Sequence, residues 1–270
     1  MKYKMLVCDY DGTLKPFEKA KVPLKTRRAI ARFKKAGGIF VICTGREYKS
    51  IKQHLAHLHY EGDLLCLQGS VCIRDERELF TTTLDHETTL LVLKTAEEDG
   101  LVPQLYDTKD YYTAFKNPQT DAYGVYTQTT PLYLNQKLSD YAKEKNFCAN
   151  KILIHCPEEE SLPYTIKLQN LCGEKVEAMQ SGPTFSEVAS SKAGKGNGVK
   201  TLAEHYGISL EEVVCVGDAT NDLSMLKVAG LGVAMENAMP QLKEVADYIC
   251  PTVNKCGVAH LINLILKDKI

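Results

Sequence analysis

Short apolar runs alternate with longer amphipathic stretches in the first quarter of the chain. YKMLVCD (3–9), IFVICTGR (39–46) and DLLCLQG (63–69) are apolar almost throughout, which predicts strands buried on both faces. LKTRRAIARFKKAGG (24–38) and EYKSIKQHLAHLH (47–59) repeat apolar residues at helical spacing, and the first of them ends in glycine. This alternation predicts a parallel sheet with helices on both faces.

The same alternation returns in the last quarter of the chain. EEVVCVGD (211–218), LGVAM (231–235) and DYIC (247–250) are predicted strands, and amphipathic helices are predicted between and after them. Both ends of the chain therefore contribute to one doubly wound α/β core.

The middle of the chain has a different rhythm. A predicted helix at 84–100 is followed by LVPQLYDTKDYYTAF (101–115), whose alternation is typical of antiparallel strands. We therefore expect a core domain formed by residues 1–81 and 185–270, with an α+β domain of residues 82–184 inserted into it.

Composition and charge restrict the class of protein. The chain has 270 residues, of which 44% are hydrophobic, and its 33 basic and 34 acidic residues give a net charge of -1. This balance offers no electrostatic case for binding nucleic acid or an anionic membrane. The apolar runs are too short for a membrane span or a secretory signal. The ten cysteines include no C-x-x-C pair, so reduced thiols and a cytoplasmic location are expected.

Residues suited to chemistry follow several of the predicted strands. Because ligands of an open parallel sheet bind beyond the carboxyl ends of its strands, these residues are expected to meet in one crevice. Lys195, in the glycine-rich GKGNG before a predicted helix, is expected to join them. The strand-end residues are Asp9, Asp11, Thr44, Gly45, Arg46, Asp218, Asn221 and Asp222.

Such a crevice favours phosphoryl chemistry. Clustered carboxylates repel one another unless a cation lies among them, and Mg²⁺ is the divalent ion that prefers oxygen ligands shared with phosphate. An aspartate beside the ion can attack phosphorus, and a second acid can protonate the leaving oxygen and then activate water. Thr44 and Lys195 are suited to bind the phosphoryl oxygens.

Four motifs in order make the chain resemble the haloacid dehalogenase superfamily of phosphatases. They are DYDGT (9–13), CTGR (43–46), GKGNG (194–198) and GDATND (217–222). The C-terminal stretch 232–262 further resembles the Cof-type branch, which has a class IIB cap. The resemblance implies a Rossmannoid core, and it implies that the inserted domain is the cap that selects substrates.

The resemblance also implies a role for each candidate residue. Asp9 would be the nucleophile and a metal ligand. Asp11 would be the general acid/base, and its backbone carbonyl would be a second ligand. Asp218 would complete the protein's metal ligands, and Asp222 would orient metal-bound water. The phosphate would be held by Thr44, the Gly45 amide, Lys195 and Asn221. Arg46 is a further candidate for the phosphate, and its alternative is a structural ion pair.

Two positions depart from the usual pattern of this branch. Gln68 stands in LQGS where asparagine is usual, which alters the region next to the cap. Glu236 stands in AMEN where glycine is usual, which alters backbone shape and charge near the expected site. Neither departure removes a catalytic group.

The predicted function is a Mg²⁺-dependent phosphatase that hydrolyses small soluble phosphomonoesters, such as sugar or cofactor phosphates, through an aspartyl phosphate. A sugar phosphomutase, which returns the phosphate to a sugar, remains an alternative. A non-enzymatic phospho-receiver is a more distant one, because a receiver needs neither Asp11 nor a large cap. The expected partner is a small phosphorylated metabolite, and a monomer is expected.

Overall fold

A computed structural model of the chain describes residues 1–58 and 60–270, with their side chains except that of Tyr126. The predicted helical end at His59 therefore lies outside the described residues. The strands are β1 Met5–Cys8, β2 Ile39–Cys43, β3 Leu64–Cys66, β4 Val71–Arg74, β5 Arg77–Thr81, β6 Val102–Tyr106, β7 Tyr111–Thr113, β8 Leu132–Tyr133, β9 Lys151–His155, β10 Val176–Gly182, β11 Phe185–Ser190, β12 Val213–Gly217, β13 Leu231–Met235 and β14 Tyr248–Cys250.

The α-helices among the described residues connect these strands. They are α1 Leu24–Lys35, α2 Tyr48–Leu55, α3 His86–Glu98, α4 Pro118–Thr127, α5 Leu138–Lys145, α6 Glu158–Cys172, α7 Lys195–Tyr206, α8 Leu223–Val228, α9 Pro240–Val245 and α10 Gly257–Ile265. The chain divides into two compact units. The first contains Met1–Gly45, Ile51–Phe80 and Gly194–Ile270, and the second contains Arg46–Ser50 and Thr81–Ala193.

The first unit is built on one mixed sheet with the strand order β14-β13-β12-β1-β2-β3-β4-β5. The strands from β14 to β3 are parallel, and β4 is antiparallel to β3. All residues of β1, β12 and β13 are buried, as the continuous apolar runs predict. The predicted doubly wound α/β core is confirmed.

Helix α1 shows how the sequence pattern places a helix on this sheet. Its buried residues Thr26, Ala29, Ile30 and Phe33 recur at the spacing of one helix face. Gly37, with φ of 90°, follows the helix and adopts a conformation that a side chain would disfavour. The helix packs against β2 and α10.

The second unit is an α+β domain with the strand order β10-β11-β9-β6-β7-β8. Its strands pair antiparallel except β7 and β8, which are parallel. One face of the sheet carries Leu105, Ile152, Ile154 and Val188, which form a buried apolar cluster with α3, α5 and α6. The opposite face carries buried polar residues, including Gln104 and Lys151.

The second unit extends beyond the boundary expected at residue 184. Strand β11 pairs with both β9 and β10, so residues 185–190 lie inside the second sheet. The second unit ends at Ala193, and the first unit resumes at Gly194, directly before α7. The sequence pattern predicted no strand at 185–190, so the expected inserted domain ended before it. Among the described residues, no helix is long and apolar enough to cross a membrane.

Candidate active site

Strand β1 delivers Asp9 to the centre of the first unit's sheet. Cys8, the last residue of the strand, pairs with Val216 of β12, and the Asp9 amide donates to the Val216 carbonyl at 2.9 Å. Because β1 and β12 are parallel neighbours, Asp9 and Asp218 follow adjacent strand ends. The local pairing therefore explains why residues about two hundred positions apart meet.

Three carboxylates form a compact buried cluster. One oxygen each from Asp9, Asp218 and Asp222 lie within 4.8 Å of one another. Burial raises the pKa of Asp9 well above its usual range, and burial also raises the pKa of Asp218 to about 6. Carboxylates in this arrangement are stabilised in their charged form by a cation, so the donor set fits a hard divalent metal ion.

Lys195 supplies one positive charge directly within this cluster. Its Nζ donates to Asp9 Oδ1 and to Asp222 Oδ1, both at 2.6 Å, and the side chain is 1% exposed. Burial alone would lower the pKa of the ammonium, but the carboxylates of Asp222 and Asp9 outweigh that effect and raise it. Lys195 is therefore a fixed cation next to Asp9.

The Asp222 carboxylate accepts three hydrogen bonds from the protein. Its Oδ1 accepts from Lys195, and its Oδ2 accepts from the backbone amides of Asp218 and Ala219 at 2.9 and 3.0 Å. The residue is 0% exposed. Asp222 thus holds Lys195 and the 217–219 loop, and its expected orientation of metal-bound water stays a prediction.

The Gly12–Thr13 turn sets the position of Asp218. Thr13 Oγ1 donates to Asp218 Oδ1 at 2.6 Å, and Thr13 is itself buried. Gly12 has φ of 83°, and a Cβ atom there would lie 2.2 Å from Asp218 Oδ2. The motif alone identified this turn but not the contact, since it depends on the close approach of β1 and β12.

Asp11 lies outside the three-carboxylate cluster. Its side chain is 22% exposed, and its Oδ1 lies 3.5 Å from Lys15 Nζ. Lys15 is buried and also donates to the carbonyls of Pro16 and Lys19, at 3.0 and 3.1 Å. Sequence reasoning did not single out Lys15, whose side chain fixes the loop beside the predicted acid/base.

Thr44 and Gly45 follow β2, next to the end of β1. Thr44 is buried, and its amide donates to the Leu65 carbonyl of β3 at 2.8 Å. Asn221 Nδ2 donates to Gln68 Oε1 at 3.0 Å, while Asn221 Oδ1 is buried without a hydrogen-bond partner among the described residues. One N–H of this amide is thus used by Gln68, and the second is left for the phosphate role expected of Asn221, which stays a prediction.

Arg46 belongs to the second compact unit, unlike the other predicted site residues. Its Nη1 donates to Ser50 Oγ at 3.1 Å, and Ser50 Oγ donates to the Thr127 carbonyl at 2.8 Å. Arg46 is thus tied to the unit that contains α4. Its expected phosphate role stays a prediction.

The segment after β13 also supports the loop that carries the motif acids. Asn237 Nδ2 donates to the Gly12 carbonyl at 2.9 Å, and its Oδ1 accepts from the Val253 amide at 2.9 Å. Glu236, the unusual residue before it, pairs with Lys255 at 3.3 Å on the exposed surface. The departure at 236 is accommodated at the surface, and Asn237 makes the inward contact.

Comparison with known proteins identifies the family to which the chain belongs. The model of the haloacid dehalogenase-like hydrolases matches residues 6–262. The chain belongs to this family. YxeH of Bacillus subtilis is 30% identical over 99% of this chain and 100% of its own length. The HMP-PP phosphatase of Yersinia enterocolitica is 27% identical over 96% of this chain and 93% of its own length.

A solved structure extends the likeness to the whole fold. The structure of a subclass IIB sugar phosphatase of the same superfamily superimposes with a TM-score of 0.82 at 24% identity, covering 99% of this chain and 100% of that one. These findings confirm the superfamily predicted from the four motifs and the Cof-type branch predicted from the C-terminal stretch. They also confirm the predicted enzyme class, a phosphatase.

Proposed function

We propose that the protein is a Mg²⁺-dependent phosphomonoester hydrolase that works through an aspartyl phosphate on Asp9. The observation that carries the proposal is the buried cluster of Asp9, Asp218 and Asp222 with Lys195 hydrogen-bonded inside it. A nucleophile, a metal-binding carboxylate and a fixed cation thus lie together at the carboxyl ends of parallel strands. This combination is what phosphoryl transfer requires.

The donor set fits a Mg²⁺ ion. Asp9 and Asp218 offer carboxylate oxygens, and the backbone carbonyl of Asp11 is the third protein ligand that we propose. When bound, the ion would neutralise phosphate charge and favour attack by an anionic nucleophile. Asp222 takes no direct part in this set, because its oxygens are hydrogen-bonded to Lys195 and the loop amides.

The chain's own residues divide the remaining work. An Asp9 oxygen attacks phosphorus, and Asp11 gives a proton to the leaving oxygen and then takes one from the incoming water. Lys195, Thr44 and the Gly45 amide bind the phosphoryl oxygens, where negative charge increases in the transition state. Lys195 is best placed for this role, because its ammonium is fixed 2.6 Å from the nucleophile.

We propose small soluble phosphate esters, such as sugar or cofactor phosphates, as the substrates. The Yersinia relative is named HMP-PP phosphatase, and the solved subclass IIB relative is named a sugar phosphatase, which supports this class of substrate. The second unit, which we take as the cap, would select among them. Because none of the cysteines forms a disulfide, we place the reaction in the cytoplasm. We also propose that the protein is a monomer.

A metabolite screen tests the proposal. Purified protein is incubated with a panel of phosphomonoesters and Mg²⁺, and released phosphate is measured beside Asp9→Asn protein as the blank. We expect release that disappears in the blank and after chelation by EDTA. Release of no phosphate from any ester would contradict the proposal. Transfer of phosphate between sugar positions without net release would instead indicate a mutase.

A further inference from the structure

The turn after β3, residues 67–69, has an unusual backbone. Leu67, Gln68 and Gly69 have φ of 48°, 59° and 83°. This left-handed conformation is unfavourable for leucine and glutamine, so the surrounding structure must hold it in place. A Cβ atom on Gly69 would lie 2.8 Å from the Gly194 carbonyl oxygen, and one on Gly198 would lie 2.6 Å from the Gly69 oxygen. The turn is packed directly against the start of α7, which carries Lys195.

This backbone directs Gln68 toward the segments that we assign to the phosphate. The backbone amide of Gln68 donates to the Thr44 carbonyl at 3.1 Å. A Cβ atom on Gly45 would lie 2.6 Å from Gln68 Nε2, so the side-chain amide lies directly over Gly45. Gln68 Oε1 accepts from Asn221 Nδ2 at 3.0 Å.

The side-chain amides of Asn221 and Gln68 both have N–H groups left for a ligand. Gln68 accepts from one N–H of Asn221 Nδ2, and the buried Asn221 Oδ1 has no partner among the described residues. Gln68 is partly exposed, and its Nε2 group donates to no acceptor in the described part of the chain. A phosphoryl oxygen needs donors, and the side-chain amide with N–H groups available beside Gly45 is that of Gln68.

We propose that Gln68 is a further phosphate-binding residue, whose Nε2 donates a hydrogen bond to a phosphoryl oxygen of the substrate. Asn221 also orients this amide, because its hydrogen bond to Oε1 fixes which end of the Gln68 side chain faces the phosphate. The proposal rests on the proposed function and adds Gln68 to the phosphate-binding residues expected there, Asn221 among them.

Binding of inorganic phosphate, measured by calorimetry with Mg²⁺ present, tests the proposal on the full chain. Gln68→Gly is the informative variant, because glycine accepts the left-handed backbone and removes only the side chain. Loss of one hydrogen bond to a charged ligand should weaken phosphate binding roughly ten- to a hundredfold. Gln53→Ala, which truncates an exposed glutamine of α2, is the matched control and should bind as the wild type does.

The double variant Gln68→Gly/Asn221→Ala tests the relation between the two residues. If Asn221 orients Gln68, the loss of phosphate binding in the double variant is smaller than the sum of the losses in Gln68→Gly and Asn221→Ala. If the two losses add in full, Asn221 binds phosphate itself and its positioning role is wrong.

The outcomes also separate this proposal from the proposed function. If the wild type binds phosphate and releases it from an ester, but Gln68→Gly binds within about twofold of it, the role of Gln68 is refuted and the function stands. If the wild type neither binds nor releases phosphate, the proposed function itself fails. Circular dichroism and urea midpoints equal to those of the wild type verify that each variant is folded.

Discussion

Replacing Asp222 by asparagine should destabilise the protein strongly, although the two side chains have nearly the same shape. The carboxylate accepts hydrogen bonds from Lys195 at 2.6 Å and from the amides of Asp218 and Ala219 at 2.9 and 3.0 Å, and it is fully buried. Asparagine keeps one acceptor oxygen and places an NH₂ group at the other position. That group must face either an ammonium or two backbone N–H groups, all of which are donors.

The magnitude follows from what is left without a partner. A hydrogen bond to a charged group contributes about 1.5–3 kcal/mol, and breaking a buried ion pair by removing one partner costs about 3–5 kcal/mol. Lys195 keeps its contact with Asp9, which limits the loss. We therefore expect the free energy of unfolding of Asp222→Asn to fall by about 3 kcal/mol.

Urea denaturation with EDTA present measures this change without any contribution from bound metal. Asp247→Asn is the matched control, because Asp247 is exposed and accepts one backbone hydrogen bond, from Gly232 at 2.8 Å. An asparagine oxygen can accept that bond, so the control should lose less than about 1 kcal/mol. Equal losses in the two variants would refute the reasoning about Asp222.

Three further predictions address the metal, the proton and the second unit. Gly12→Ala would place Cβ 2.2 Å from Asp218 Oδ2, so the Mg²⁺ concentration for half-maximal activity should rise about 10–100-fold, and an unchanged requirement would contradict the contact. Asp11→Asn should keep phosphate binding but lower kcat by at least ~10²-fold, and wild-type turnover would exclude an acid/base role. Burial lowers the pKa of His155 to about 4. Between about pH 4 and 6.5 the unfolded chain therefore binds a proton on His155 that the folded chain does not bind. From pH 7 to 5 the free energy of unfolding should thus fall by about 2 kcal/mol more in the wild type than in His155→Phe, and parallel urea curves would refute this.

The sequence predicts the core well because its strands are buried on both faces. A continuous apolar run as short as IFVIC has few structural alternatives to a buried strand. Parallel pairing of such strands then brings Asp9 and Asp218 to one edge of the sheet. The family and the fold are confirmed, while the individual catalytic roles stay predictions. The hairpin β4–β5 and the placement of β11 in the second sheet were not predictable from periodicity. An apolar strand pattern does not identify the strand with which it pairs.

Side-chain hydrogen bonding is the part that the sequence does not reveal. Asp222 lies in the expected motif, yet its partners are set by a lysine in another helix and by its own loop amides. Asn221 is engaged by Gln68, which lies 153 positions away. Lys15 has no periodic signal that would distinguish it from a surface lysine. Such contacts depend on distances between loops, which only the folded chain defines.

Chemical trapping of the phosphorylated enzyme tests the central claim most directly. Protein turning over a phosphomonoester with Mg²⁺ is quenched in acid, reduced with borohydride and analysed by peptide mass spectrometry, because reduction converts an aspartyl phosphate to homoserine. The account predicts homoserine at position 9 in the wild type and none there in Asp9→Asn. Steady phosphate release with homoserine at another aspartate, or with no homoserine at all, would contradict it.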